Sequence, residues 1–311
     1  YRQARRYRQA RRYRQARRHH QARRYRHVRG SRMRCVIHID IDCFYVQVDM
    51  LRLGLPAERP VAVTQKFLVV TCNYAARAAG VTKLMATEAA QQRCPDLLLV
   101  SGEDLTPYRE ASEAVFGTLC EVGPTQRLGL DEFFIDATAA AAARLEAEAE
   151  AEAGGAPSEW EERTHVHRAT LGTTTAEALA GQTWSHRPMD LRAISISEAL
   201  RATAAPPPPT AMAAATCTEG ERLLRAGSRV AAAARRAVQQ RTGLTCAAGI
   251  ASSKLFAKLV GGLHKPDSQT ALPEAEARAF LAPLPVRALP GVGAKAGPLD
   301  ALHPLRCAAP P

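Results

Sequence analysis

The 311-residue sequence lacks several features that define other classes of protein. It has no run of about 18 apolar residues, so we expect no membrane-spanning helix. Its eight cysteines include no Cys-x-x-Cys pair, which argues against a zinc module and a disulfide scaffold and favours a reducing compartment. The first residues contain no apolar segment, so we expect no secretory signal. The chain is long enough to bury a sizeable core.

Acidic residues are absent from the first 34 positions, which contain 15 of the 42 basic residues. The rest of the chain holds 27 basic and 30 acidic residues, so the net charge of +12 arises from this segment. Like charges at this density repel one another and favour an open chain. We interpret residues 1–34 as an Arg-rich low-complexity tail, and the alternative is a nucleic-acid-binding or import arm.

If this tail is a binding arm, it should confer non-specific affinity for nucleic acid that falls steeply with salt. Arginines without counter-charges release counterions from DNA, with a log–log slope of about −0.9 per neutralised phosphate. Binding to duplexes of unrelated sequence should be similar, because nothing in the repeat reads base edges. Titrations over a range of salt concentrations would test this. Equal slopes for the full chain and for a chain without residues 1–34 would contradict the prediction.

The pattern of the sequence changes at Cys35. Residues 36–42 alternate strictly, which predicts a β-strand with one face made only of isoleucines. We expect this strand to be central in its sheet, because its apolar face must be buried. The opposite face carries His38, Asp40 and Asp42.

Patterns further along predict strands and helices with short connections, which is typical of an α+β fold. Residues 154–216 show no steady periodicity and include four consecutive prolines, which favours an insertion with a stiff linker. Strands are expected at 61–64, 67–72 and 244–250, with a strand pair over 127–138 that turns near Asp131. Helices are expected at 75–93, 104–120 and 218–241, and over a segment that contains Lys254 and Lys258.

Two clusters of carboxylates on apolar strands are the candidate catalytic groups. Buried carboxylates are costly unless they are paired or bound to a metal. Hard cations such as Mg²⁺ prefer carboxylate and carbonyl oxygens, and two such ions can hold the attacking and leaving oxygens of a phosphoryl transfer. The alternative is a set of solvated acids at strand edges. The residues are Asp40, Asp42, Asp131 and Glu132.

Cationic residues form a second candidate group. Tyr74 and Arg77 share a helix side because they are three residues apart. Arginine and lysine clamps suit a triphosphate, although each such residue taken alone could be an ordinary surface charge. The lysines are Lys254, Lys258 and Lys265.

The Gly291-Val292-Gly293 turn could expose backbone N–H groups to a phosphate, or it could be an ordinary turn.

The run from His38 to Tyr45 resembles the first catalytic motif of the Y-family translesion DNA polymerases. Further similar segments lie at 65–77, 102–110, 127–132 and 244–266, so the resemblance covers about 35–138 and 217–297. It implies a palm made of an antiparallel sheet with helices, a small fingers domain and a partial helix-hairpin-helix thumb. The implied boundaries are 35–43 and 104–275 for the palm, with a poorly matching insertion at about 139–216, 44–103 for the fingers, and 276–311 for a truncated thumb.

The resemblance also implies an activity and roles for residues. The activity is error-prone, template-directed addition of deoxynucleotides to a primer 3′-OH opposite damaged template, by two-metal-ion phosphoryl transfer. Asp40, Asp131 and Glu132 would be catalytic and, with the Ile41 carbonyl, would hold two Mg²⁺ or Mn²⁺ ions. Tyr45 would contact the sugar and exclude a 2′-OH, and Tyr74, Arg77 and Lys265 would bind the triphosphate. Gln65, Lys66 and Leu68 would face the nascent base pair, and Gly291 and Gly293 would contact DNA phosphate.

The implied partners are primer–template DNA and deoxynucleoside triphosphates, in the nucleus and without a membrane. We find no segment that resembles the family's little finger, clamp-binding peptide or ubiquitin-binding segment, so we expect a truncated chain. Pro298 falls where the second helix of the thumb hairpin should run. Two alternatives are a weak or inactive nucleic-acid-binding fragment and a palm-fold nucleotide cyclase. The fingers segment at 61–85 argues against the cyclase.

Overall fold

The computed structural model describes residues 33–151, 160–161, 163–167, 217–284 and 289–290. These residues form nine strands in two sheets, together with eight α-helices. The strands are β1 (Val36–Ile41), β2 (Val61–Gln65), β3 (Leu68–Cys72), β4 (Leu98–Ser101), β5 (Thr125–Arg127), β6 (Glu132–Asp136), β7 (Thr164–Val166), β8 (Cys246–Ala251) and β9 (Gln269–Ala271). The helices are α1 (Phe44–Leu53), α2 (Tyr74–Ala78), α3 (Thr87–Arg93), α4 (Thr106–Leu119), α5 (Thr138–Ala151), α6 (Glu219–Thr242), α7 (Lys254–Gly261) and α8 (Ala277–Leu281).

The larger sheet has six strands in the order β5-β6-β1-β8-β9-β7. The prediction that β1 is central is confirmed, since β1 pairs with β6 on one side and β8 on the other. The expectation of an antiparallel sheet holds for four strands and is wrong for the rest, because β9 runs parallel to both β8 and β7. The chain passes from β8 to β9 through α7, and a crossover of this kind is what parallel neighbours require.

Both faces of the larger sheet are covered. The isoleucine face of β1 packs in a core that includes Val115 of α4 and Leu224 of α6. On the opposite face α7 packs against β8 so closely that a Cβ atom at Gly249 would overlap the carbonyl oxygen of Ala257 and lie 2.7 Å from the nitrogen of Gly261. Only glycine at position 249 allows this approach.

The smaller sheet has the order β3-β2-β4 and packs with α2 and α3 around a separate apolar cluster. The single helix expected over 75–93 is wrong, because α2 ends at Ala78 and α3 begins at Thr87. The intervening chain bonds to β3 instead, through Leu84 N to Val69 O at 2.8 Å and Val69 N to Met85 O at 2.9 Å. These tertiary bonds override the local helix propensity of an alanine-rich segment.

Part of the expected insertion at 139–216 belongs to the body of the fold. Helix α5 covers most of the alanine run and the Glu-Ala repeat, and its Ala141 is fully buried in the core next to α6. Strand β7 pairs with β9 at the edge of the larger sheet. Three predicted features lie outside the described residues: the rest of that segment, most of the Arg-rich tail, and the turn at Gly291 and Gly293.

No helix in the described ranges is long and apolar enough to cross a membrane.

Candidate active site

The sheet register brings the predicted carboxylates together. Asp40 near the end of β1 lies directly opposite Glu132 at the start of β6. Opposed residues of antiparallel strands have Cβ atoms about 5 Å apart. Asp131 precedes β6, and its carbonyl oxygen accepts a hydrogen bond from Ile41 N at 3.0 Å. The turn between β5 and β6 therefore places two acids beside the third, next to the predicted backbone ligand Ile41.

These carboxylates repel one another. The pKa of Asp131 is raised above its ordinary value by burial and then by the negative charges of Asp40 and Glu132. The charge of Lys265 opposes this shift only in part. Asp131 has no ion pair among the described residues. A nearby positive charge would stabilise the ionised forms of these carboxylates.

Two lysines provide positive charge at the other two acids. Lys265 pairs with Asp40 at 2.5 Å, and Lys258 of α7 pairs with Glu132. Within the part of the chain that the structure describes, no three histidine, cysteine or acidic side chains are arranged as a ready metal site. The donors nevertheless suit a divalent cation, because they are hard carboxylate oxygens that repel one another.

Asp42 has a different role from the other three acids. Its side chain is 2% exposed, and its Oδ2 accepts hydrogen bonds from Asp267 N at 2.9 Å and Thr245 Oγ1 at 3.3 Å. Strand β1 ends at Ile41, so the alternation that would put Asp42 beside Asp40 stops one residue earlier. Asp42 therefore anchors the loop that carries Lys265.

Tyr45 forms an aromatic wall beside the acids. It lies in the first turn of α1, and its ring centroid is 4.3 Å from that of Tyr108. The Tyr108 hydroxyl in turn donates to Asp49 Oδ2 at 2.6 Å, which holds the second ring in place. Burial and then the negative charge of Asp131 raise the pKa of Tyr45.

Tyr74 and Arg77 lie together on α2. The Arg77 guanidinium lies 4.9 Å from the Tyr74 ring centroid, and its Nε donates to Cys72 O at 3.2 Å. Burial and the charge of Asp42 raise the pKa of Tyr74. Burial raises the pKa of Cys43 to about 11, while Arg77 and Lys265 both act to lower it.

The predicted base-pair surface is the hairpin between β2 and β3. Gln65 Nε2 donates to Gly102 O at 2.8 Å, and Lys66 adopts a left-handed conformation with φ 54°. The tip exposes apolar side chains, with Phe67 80% and Leu68 44% exposed. The structure thus leaves Leu68 accessible while Gln65 is held in place.

His38 is a residue of this site that the sequence pattern did not identify. It is 1% exposed, and its Nε2 lies 3.9 Å from Glu132 Oε1. Neither ring nitrogen has a hydrogen-bond partner among the described residues. Burial, Lys258 and Lys265 together lower its pKa to about 3, so the ring is neutral. The alternation of β1 assigned it to the polar face, and no local signal indicated that α7 covers this face.

Comparison with known proteins finds similarity over the part of the chain that contains the three acids. The model of the impB/mucB/samB family matches residues 39–262. The chain is 37% identical over 264 residues to DNA polymerase iota of Homo sapiens and 36% identical over 267 residues to that of Drosophila melanogaster. It is 29% identical over 278 residues to DNA polymerase eta of Arabidopsis thaliana. These matches cover 84%, 85% and 86% of this chain, but only 30%, 30% and 37% of the relatives.

Proposed function

This chain belongs to the impB/mucB/samB family of Y-family polymerases, and we propose that it is the catalytic part of an error-prone translesion DNA polymerase. Its activity would be template-directed addition of deoxynucleotides to a primer 3′-OH. The observation that carries the proposal is the meeting of Asp40, Asp131 and Glu132 at adjoining strand ends, beside Tyr45 and Lys265. The chain spans about 30% of the length of the polymerase iota relatives, so this activity is a proposal for the chain.

The family implies dependence on a divalent metal. We propose two Mg²⁺ ions, or Mn²⁺, held by the three acids and the Ile41 carbonyl. When bound, such ions stabilise charge on the attacking and leaving oxygens of a phosphoryl transfer. The acids present fit this role, since burial and repulsion leave Asp131 with a strong demand for positive charge.

The remaining side chains would bind and orient the substrates. Lys265 and Arg77 would neutralise the triphosphate, with the Tyr74 hydroxyl as a further donor. Tyr45 would pack against the sugar, and its rigid contact with Tyr108 would limit the space at the 2′ position. The hairpin residues Gln65, Lys66 and Leu68 would contact the nascent base pair. Primer–template DNA and deoxynucleoside triphosphates are the proposed substrates, and the nucleus is the proposed location.

Replacing Tyr45 with alanine should relax selection between sugars. The change removes the ring without touching the acids, so the ratio of ribonucleotide to deoxyribonucleotide incorporation should rise by about tenfold or more. Tyr45→Phe is the matched control, because it keeps the ring and should keep the selection. Single-nucleotide incorporation with each sugar measures the ratio. An unchanged ratio in a folded alanine variant would show that the ring serves only to pack the core.

Primer extension by the full chain tests the proposal itself. A labelled primer–template should be extended with Mg²⁺ or Mn²⁺ and should remain unextended when the metal is chelated. Binding of the same DNA without extension would instead favour the alternative function, a nucleic-acid-binding fragment. The chain covers only 30% of the length of its polymerase iota relative from Drosophila melanogaster. A band-shift assay on the same samples separates these two outcomes.

A further inference from the structure

Glu132 has a cation of its own in this structure. The Lys258 ammonium donates to Glu132 Oε1. Both side chains are only 25% exposed, so the pair is partly shielded from water and salt. The neighbouring imidazole of His38 is neutral and adds no charge, as its lowered pKa indicates. The negative charge of Glu132 is therefore balanced by a single ammonium group.

The backbone that carries Lys258 is fixed. Its helix α7 begins at a cap in which Ser253 Oγ accepts from Phe256 N at 3.3 Å. The helix lies against β8 at Gly249, where a Cβ would overlap the Ala257 carbonyl oxygen. A Cβ at Gly261 would lie 3.2 Å from Nδ1 of His38, so the same helix also packs tightly on β1. Lys258 can leave Glu132 only by rotating its own side chain.

The acids and lysines do not balance. Three carboxylates face two ammonium groups, one on Asp40 and one on Glu132. Asp131 is the acid without an ion pair among the described residues, and it directly precedes Glu132, the acid that Lys258 contacts. An incoming cation is therefore attracted to the cluster, but at Glu132 it must compete with an ammonium group that is already there.

We propose that Lys258 is a positioning residue that acts through Glu132, as a built-in counter-ion that the divalent cation must displace. The inference rests on the proposed function, because it assumes that Glu132 takes part in cation binding. The two possible roles of Lys258 predict opposite changes in cation affinity. If Lys258 only supported the shape of the site, its removal would weaken cation binding. If it competes with the cation, its removal strengthens binding.

The test is Mn²⁺ binding to the full chain without DNA or nucleotide, with free Mn²⁺ measured by electron paramagnetic resonance. Lys258→Met should tighten binding by about tenfold, and Lys258→Gln should act in the same direction. Lys258→Arg keeps the charge and should bind like the parent. Lys254→Met is the matched control: it removes the same charge one turn earlier on α7, from an ammonium that contacts Gln126 and not an acid. Its effect should be below about twofold.

Equal or weaker binding in both the Met and Gln variants would overturn the competition. Equal tightening in the Lys254 variant would also overturn it, because general electrostatics would then explain the effect. Asp131→Asn identifies the site, since it should reduce Mn²⁺ binding in every background. If neither the parent nor any variant binds Mn²⁺ in a manner that depends on Asp131, the proposed function fails along with the inference. Binding that depends on Asp131 but is indifferent to Lys258 overturns the inference alone.

Discussion

Asp131→Asn is expected to abolish nucleotide addition, by at least about a thousandfold, without loss of the fold. Asp131 is the acid of this cluster that has no ion pair among the described residues, and the charges of Asp40 and Glu132 raise its pKa. The asparagine amide has nearly the same shape but no negative charge, so the site loses much of its attraction for a cation. Single-turnover primer extension measures the loss. An extension rate near that of the parent would refute the assignment of Asp131.

The same change should leave the protein equally stable or more stable at neutral pH. A raised pKa means that the folded state binds the Asp131 proton more tightly than the unfolded chain does. The stabilising effect of that proton is complete below the unfolded pKa and is lost as pH rises through the folded pKa. Above that range the charged form destabilises the fold, and the asparagine variant avoids this cost.

Thermal unfolding at several pH values tests this opposition of activity and stability. The difference in Tm between Asp131→Asn and the parent should grow as pH rises through the carboxylate range and then level off. Asp96→Asn is the control, because Asp96 is an exposed acid in the turn before β4. That variant should keep both activity and Tm. A lower Tm for Asp131→Asn at neutral pH would show that Asp131 supports the fold and is not strained by its neighbours.

Gly249→Ala should have the largest effect on stability, about 3 kcal/mol or more. The added methyl group would overlap the Ala257 carbonyl oxygen and crowd the nitrogen of Gly261, and both are backbone atoms that cannot rotate away. To relieve the clash, α7 would have to move off β8, and it would take Lys258 with it. Urea denaturation followed by circular dichroism measures the free energy of unfolding.

The control for this substitution is Gly117→Ala within α4. Apart from the neighbouring residues and backbone of its own helix, nothing lies within 4 Å of a Cβ built at Gly117. Alanine also has a higher helix propensity than glycine, so this variant should be neutral or more stable by up to about 1 kcal/mol. Gly249→Ala with the stability of the parent would mean that α7 does not need its close contact with β8.

The sequence by itself determined the strand β1, its central place, and the carboxylates that its partner strand brings beside Asp40. The alternation of residues 36–42 specifies an isoleucine face, and a strand with that face has to lie inside a sheet. The strand pair around Asp131 could also be predicted from the sequence, because apolar residues flank the acids on both sides. These properties are local: each depends on the order of side chains within about ten residues.

Only the tertiary structure decided what meets the polar face of β1. Helix α7 lies more than 200 positions further along the chain, and its contact with β1 buries His38 and brings Lys258 to Glu132. The split of the segment 75–93 into two helices has the same origin, since hydrogen bonds to β3 replace the helical bonds between them. Asp42 was separated from the other acids by bonds to Thr245 and Asp267. Periodicity states which residues share a face, but the partner of that face is set by contacts between distant segments, which no local pattern encodes.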